Sequence, residues 1–310
     1  MKRTARFIAK YGIFCAFALL AGVLAVVSPS FLTQSNLVNV LRQTSVNGII
    51  AVGMTFVIVT AGIDLSVGSL LALAAVVAAS LAHPAAHAWP IPILAGVAVG
   101  LAGGLLNGLL IAKKKLAPFI VTLGMMTAAR GLALVYTSGR PVIGLSDSYR
   151  GIGGAALGPV PVPILIFAAV VGVGVFALHF TRFGRYVFAV GGNELAAKVS
   201  GVDTEGVLIG VYALSGAMAG LAGIVLSSRV MSASPAMGEG YELDAITAVV
   251  IGGTSLSGGV GSIAGTIAGA LIIGVMNNGL DMLNVSSYWQ QVAKGLIIVA
   301  AVLLDRKKKT

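Results

Sequence analysis

Residues 57–76 read Val57-Ile58-Val59-Thr60-Ala61-Gly62-Ile63-Asp64-Leu65-Ser66-Val67-Gly68-Ser69-Leu70-Leu71-Ala72-Leu73-Ala74-Ala75-Val76. One acid, Asp64, stands in an otherwise uncharged run that stays apolar from about residue 45 to 82. About 20 apolar residues cross a bilayer as a helix. The run is long enough for two crossings, 45–62 and 66–82, with a break around Asp64. A carboxylate at membrane depth is costly and faces a bundle interior or an aqueous path. Asp64 and Ser66 therefore have two compatible readings. They line or gate a passage, or they cap the helix that starts near Val67.

The rest of the chain resembles this stretch in composition. Of its 310 residues, 57% are hydrophobic and 10% charged, and the mean hydropathy is +1.00. A soluble domain carries about 25% charged residues, so most of this exterior must face lipid. The expected fold is all-α, a polytopic transmembrane bundle of about ten spans. They fall near 8–28, 45–62, 66–82, 91–111, 117–136, 160–179, 206–227, 243–257, 261–280 and 288–304. No segment between them is long enough for a soluble domain, so residues 1–310 are expected to form one membrane domain. The 42 glycines include the pairs Gly100/Gly104, Gly104/Gly108, Gly216/Gly220 and Gly265/Gly269. Such small-xxx-small pairs let helix backbones approach closely in lipid.

The net charge of +10 would raise the question of nucleic acid in a soluble protein. The positions of the charges answer it. With both termini in the cytoplasm, fourteen basic residues fall on the inner side: Lys2, Arg3, Arg6, Lys10, Lys113, Lys114, Lys115, Arg182, Arg185, Lys198, Arg306, Lys307, Lys308 and Lys309. Four fall outside: Arg42, Arg140, Arg150 and Arg229. Arg130 and Lys294 lie inside spans. Cytoplasmic loops carry the excess of Lys and Arg, so the charge reports membrane orientation and no nucleic-acid partner is expected. The basic N-terminus before the apolar stretch 11–27 also resembles a signal peptide, but no convincing cleavage site follows.

No catalytic or metal-binding set is present. His83, His87 and His179 lack metal-ligand spacing, and Cys15 is alone. No Gly-Lys dipeptide occurs, which excludes a P-loop. Leu256-Ser257-Gly258-Gly259 matches the start of an ABC ATPase signature, a coincidence in a chain without a P-loop. No cofactor is expected.

Other polar residues have open readings. Tyr241, Glu242 and Asp244 open the span at 243–257, either capping it, since acids favour a helix N-terminus, or binding solute hydroxyls or a partner protein. Asn107, Asn277, Asn278, Gln290 and Gln291 either bridge helices or line a path. Lys294 snorkels or pairs with a carboxylate, Asp281 being the candidate. The segment 184–201 contains Gly191-Gly192-Asn193-Glu194-Leu195-Ala196-Ala197-Lys198-Val199-Ser200-Gly201. Asn193 suits an N-cap, Glu194 a first turn and Gly201 a helix end. A short capped helix of small residues suits docking to another protein. A weak internal repeat sets Gly62 on Gly253 and Leu65-Ser66 on Leu256-Ser257, with Gly-Ser following at Gly68-Ser69 and Gly261-Ser262. Interrupted spans in corresponding halves point to a transport path.

The strings Gly62–Ser69, Gly191–Gly201, Gly240–Ile246 and Gly252–Gly259 resemble the permeases of bacterial monosaccharide ABC importers. Leu41-x-Gln43-Thr44-Ser45-Val46-Asn47 and Val285-Ser286-Ser287-Tyr288 are most similar to the ribose branch. The related branched-chain amino-acid permeases carry an Asn-Leu-Ala-His-Gly-like string where this chain has Asp64-Leu65-Ser66-Val67-Gly68. The resemblance spans about 28–305. It implies an inner-membrane homodimer of this subunit with cytoplasmic ABC ATPases and a periplasmic sugar-binding protein. It implies that ATP is hydrolysed in those partners, so this chain is not an enzyme, and that residues 191–201 are the coupling helix. The competing expectations are the same architecture for another sugar or an autoinducer, and a stand-alone ion-coupled carrier.

Overall fold

The structure is a computed structural model. It describes residues 18–19, 21–84, 87–286 and 288–296. The described chain is predominantly helical. Helices α1 (Gln34–Val59), α2 (Val67–Ser80), α3 (Pro90–Lys114) and α4 (Pro118–Thr137) come first. A short helix α5 (Asp147–Gly154) and a two-stranded hairpin, β1 (Ala156–Leu157) and β2 (Val160–Pro161), lead into α6 (Val162–Val175). A wide turn, Phe176–Phe180, extends α6. Then follow α7 (Arg182–Gly192), α8 (Glu194–Val199), α9 (Thr204–Val230), α10 (Tyr241–Ile251) and α11 (Ile263–Met282). Residues 21–27 and 288–296 are also helical.

Among the described residues six helices are long and apolar enough to cross a membrane: α1, α3, α4, α6 with its extension, α9 and α11. Of the expected spans 8–28 and 288–304, residues 8–17, 20 and 297–304 lie outside the described residues. Two expected spans are shorter than anticipated. Helices α2 and α10 have 14 and 11 residues, or about 21 and 16 Å of rise, against a hydrocarbon core of about 30 Å. The stretch read as 243–257 leaves the helix at Ile251 because Gly252 and Gly253 end it. The expected outer loop 137–159 holds α5 and the hairpin. Tyr149 of α5 is buried against α9, sharing a hydrogen with Ser227 Oγ at 2.7 Å, and this burial pushes its hydroxyl up to about 12.

Helix α1 forms the centre, with Met54, Phe56, Ile58 and Val59 wholly buried. Around it, α3 and α9 pack backbone to backbone through the expected glycines. A Cβ on Gly216 would lie 2.8 Å from Gly104 Cα, and one on Gly108 would lie 2.7 Å from Ile209 Cα. Any side chain there would force the helices apart, which is why the pattern is glycine rather than alanine. At the periphery, Leu94, Leu106, Ile120, Val173 and Phe176 point outward.

Helices α1 and α10 end alike. Gly62 N donates to Val57 O at 3.0 Å and Ala61 N to Ile58 O at 2.9 Å. Thr254 N donates to Val249 O at 3.2 Å and Gly253 N to Val250 O at 2.9 Å. These bonds close a left-handed helix end, with φ +61° at Ala61 and +91° at Gly253. The hydrogen-bond register therefore sets Ala61, not Gly62, on Gly253. Beyond the turns the segments diverge. The next helix is preceded by Ser66 in one case and by Ser262 in the other.

Candidate functional site

The segment 191–201 forms an elbow at the end of the bundle that carries Lys113–Lys115. Asn193 caps α8, its Oδ1 accepting from Ala196 N at 2.9 Å. Ser200 Oγ donates to Ala196 O at 2.8 Å, and Gly201 ends the turn at φ +84°. Ala197 is the inward face, 6% exposed. Glu194 lies 3.5 Å from Lys115, a solvated pair of small energetic value. The outward face is Leu195 and Val199, 77% and 90% exposed. Sequence reading singled out the small residues of α8 and missed this pair, although its i, i+4 spacing was visible.

Gly191 and Gly192 lie behind the elbow, at the end of α7. A Cβ on Gly191 would overlap the Val59 carbonyl and lie 2.8 Å from Gly259 N. Gly259 N in turn donates to Val59 O at 2.9 Å. One on Gly258 would lie 2.6 Å from Gly191 O and 2.9 Å from Ala61 Cβ. So the root of the elbow, the end of α1 and the turn after α10 meet at one point. The decoy string Leu256–Gly259 supplies that turn. Only residues without side chains can bring three backbones this close.

Asp64, Ser66 and Asn107 form one buried cluster. Asp64 Oδ1 accepts from Ser66 N at 3.0 Å and Ser66 Oγ at 2.6 Å. Its Oδ2 accepts from Ser215 Oγ of α9 at 2.9 Å. Asn107 Nδ2 of α3 donates to Ser66 Oγ at 2.9 Å. Asp64 is 0% exposed. It caps the turn from two residues ahead, while Ser66 precedes α2 without a side-chain cap bond. Ser215 carried no sequence signal, because a serine in an apolar helix is common.

Asp244 and Asn277 belong to a second cluster. Asp244 Oδ2 accepts from Lys294 Nζ at 2.9 Å and from Asn47 Nδ2 of α1 at 3.3 Å. Asn277 of α11 stands beside the same carboxylate. The expected pairing of Lys294 with Asp281 is therefore corrected. Asp281 lies at the exposed end of α11 and accepts from Gln290 Nε2 at 2.8 Å instead. Asn278 sits one residue further round and exchanges two amide hydrogen bonds with Asn36, at 3.0 and 2.9 Å. Gly240, with φ +81°, precedes α10, so the acids serve its first turn rather than its cap. Glu242 reaches α2, its Oε2 standing where a side chain on Gly68 would go. Among the described residues no group of three His, Cys, Asp or Glu is placed to hold a metal.

A bundle of apolar helices, six of them long enough to cross a membrane, with a projecting elbow rooted on the helix interruptions, defines a multi-pass membrane protein. The comparisons give the family. Residues 36–302 match the model for the permease component of the branched-chain amino acid transport system, and the chain belongs to this family. It is thus a transport permease and not an enzyme. It is 49% identical over 298 residues to the ribose import permease protein RbsC of Escherichia coli K12, covering 95% of this chain and 92% of that protein. It is 49% identical to RbsC of Bacillus subtilis, with 96% and 93% covered. To the D-allose transport system permease protein AlsC of Escherichia coli it is 40% identical, with 96% and 91% covered. No solved structure matches the chain.

Proposed function

We propose that this chain is the membrane permease of an ATP-binding cassette importer and carries ribose into the cytoplasm. The observation that carries the reading is 49% identity to ribose import permeases over 95% of the chain, against 40% to the allose permease. The sugar-type string Asp64-Leu65-Ser66-Val67-Gly68 points the same way.

Residues 1–310 act as one domain of ten spans: the six long helices, α2, α10 and the segments 8–28 and 288–304. Both termini lie in the cytoplasm, as the basic-residue bias favours. The stretches around α1–α2 and α10–α11 are two copies of one ancestral unit, a reading supported by their identical helix ends. The permease works as a homodimer in lipid, with two cytoplasmic ATPases and a periplasmic sugar-binding protein. The segment Gly191–Gly201 is the coupling helix. Leu195 and Val199 enter the ATPase, and Gly191 passes its displacement to both breaks at once. Asp64, Ser66, Asn107, Asp244, Asn277 and Asn278 brace the helices that must move as units, and Glu242 faces the passage.

The test is ATP-dependent ribose uptake in proteoliposomes holding permease, ATPase and binding protein. Leu195→Asp with Val199→Asp is expected to abolish both uptake and co-purification of the ATPase. Coupled uptake by that variant would overturn the coupling-helix assignment. Uptake by the permease without ATP would overturn the importer reading in favour of an ion-coupled carrier.

A further inference from the structure

Arg130 lies in the middle of α4, among Gly124, Thr127, Gly131 and Leu134. A cation at that depth is costly when it meets lipid. It meets a cleft of about 600 Å³ instead, where Ser69 of α2, Thr127 of α4, Glu239 and Glu242 stand among apolar side chains such as Met126 and Leu134. This volume falls within the roughly 300–1,000 Å³ of small-molecule sites. Arg130 Nη1 donates to Pro235 O and, at 2.9 Å, to Met237 O. The guanidinium has five donors in all, so one side chain can hold the 232–240 segment and still offer hydrogen to a solute. Glu239 and Glu242 are the carboxylates whose charge it feels.

We propose that the Arg130–Glu239–Glu242 cleft is the sugar-contacting surface of the passage. A neutral polyol both donates and accepts hydrogen bonds at every hydroxyl. A wall of one cation, two carboxylates and the hydroxyls of Ser69 and Thr127 answers both roles. The two carbonyl bonds fix Arg130 before the sugar arrives. The cleft is open along α4, where Cβ atoms on Gly124 and Gly131 would meet nothing within 4 Å. The second copy of the chain closes that side; the inference rests here on the homodimer proposed above.

The full complex in proteoliposomes tests it. In a Cys15→Ser background, Thr127→Cys is expected to react with a charged water-soluble methanethiosulfonate and to lose ribose uptake on reaction. Leu132→Cys, on the far side of α4, is expected to stay unreactive. Arg130 variants risk misfolding because they free the 232–240 segment. Glu239→Gln, at an exposed position, avoids this. It is expected to lower uptake about tenfold, the loss of one charge-assisted hydrogen bond. Binding-protein-stimulated ATP hydrolysis is expected to fall by less than uptake, so that fewer sugars cross per ATP. A purely structural role would lower both rates together. Full uptake by labelled Thr127→Cys, or a Glu239→Gln variant with an unchanged sugar-to-ATP ratio, overturns the proposal. Absence of ATP-dependent uptake by the unsubstituted complex would instead overturn the importer reading itself.

Discussion

Asp64 and Asp244 are the two buried acids among the described residues, 0% and 3% exposed, and they are held by different means. Asp64 is surrounded by dipoles: one backbone amide and the hydroxyls of Ser66 and Ser215. Asp244 has a full counter-charge, Lys294, together with the amides of Asn47 and Asn277. The hydroxyl set joins α2, α3 and α9. The ion pair joins α10 to the chain beyond α11. The difference concerns what remains when a partner is lost. Removing a hydroxyl leaves a carboxylate with fewer donors. Removing the lysine leaves an uncompensated buried charge, which is far more costly.

Lys294→Met tests the contrast hardest. It is expected to cost about 3 kcal/mol or more, seen as a lower thermal midpoint of the detergent-solubilised protein. Adding Asp244→Asn is expected to restore most of the loss, since the stranded charge is then gone. A double variant no better than the single one would show that the ion pair is not what holds this region.

Asp64→Asn is expected to cost less, about 2 kcal/mol, by setting an amide donor against donors that then lack an acceptor. Its loss should appear in the same melt. If it equals that of Lys294→Met, the distinction between dipole-held and charge-held acids fails.

The smallest effects test whether the two helix ends are equivalent. Gly253→Ala puts a side chain at φ +91° and is expected to destabilise by about 1 kcal/mol. Ala61→Gly relieves the same conformation at φ +61° and is expected to be neutral or to stabilise by up to about 1 kcal/mol. Equal signs would break the register that sets Ala61 on Gly253.

Much of this was legible in the sequence. The long spans α3, α4, α6, α9 and α11 were, because lipid accepts only closed backbone hydrogen bonding and some 20 apolar residues to enclose it, whereas α1 begins at Gln34 rather than near residue 45. The Asn193 cap and the Gly201 stop were, because capping is local. The α3–α9 contact was foreshadowed by Gly100, Gly104, Gly216 and Gly220. The short length of α10 was partly hidden, since residues 252–257 carry no charge to mark the end that Gly252 and Gly253 impose.

The sequence by itself determined the class of solvent, the places of the breaks and the position of the elbow, all set by composition or by neighbours within a turn. Only the tertiary structure decided which groups meet. Lys294 finds Asp244, 50 residues away, rather than the nearer Asp281; Asp64 takes Ser215 from 151 residues away. The packing of whole helices sets those distances, as it does the backbone junction at Gly191. A one-dimensional pattern records which side chains are available, and a buried charge or hydroxyl is satisfied by whichever of them the packed helices bring within 3 Å or so.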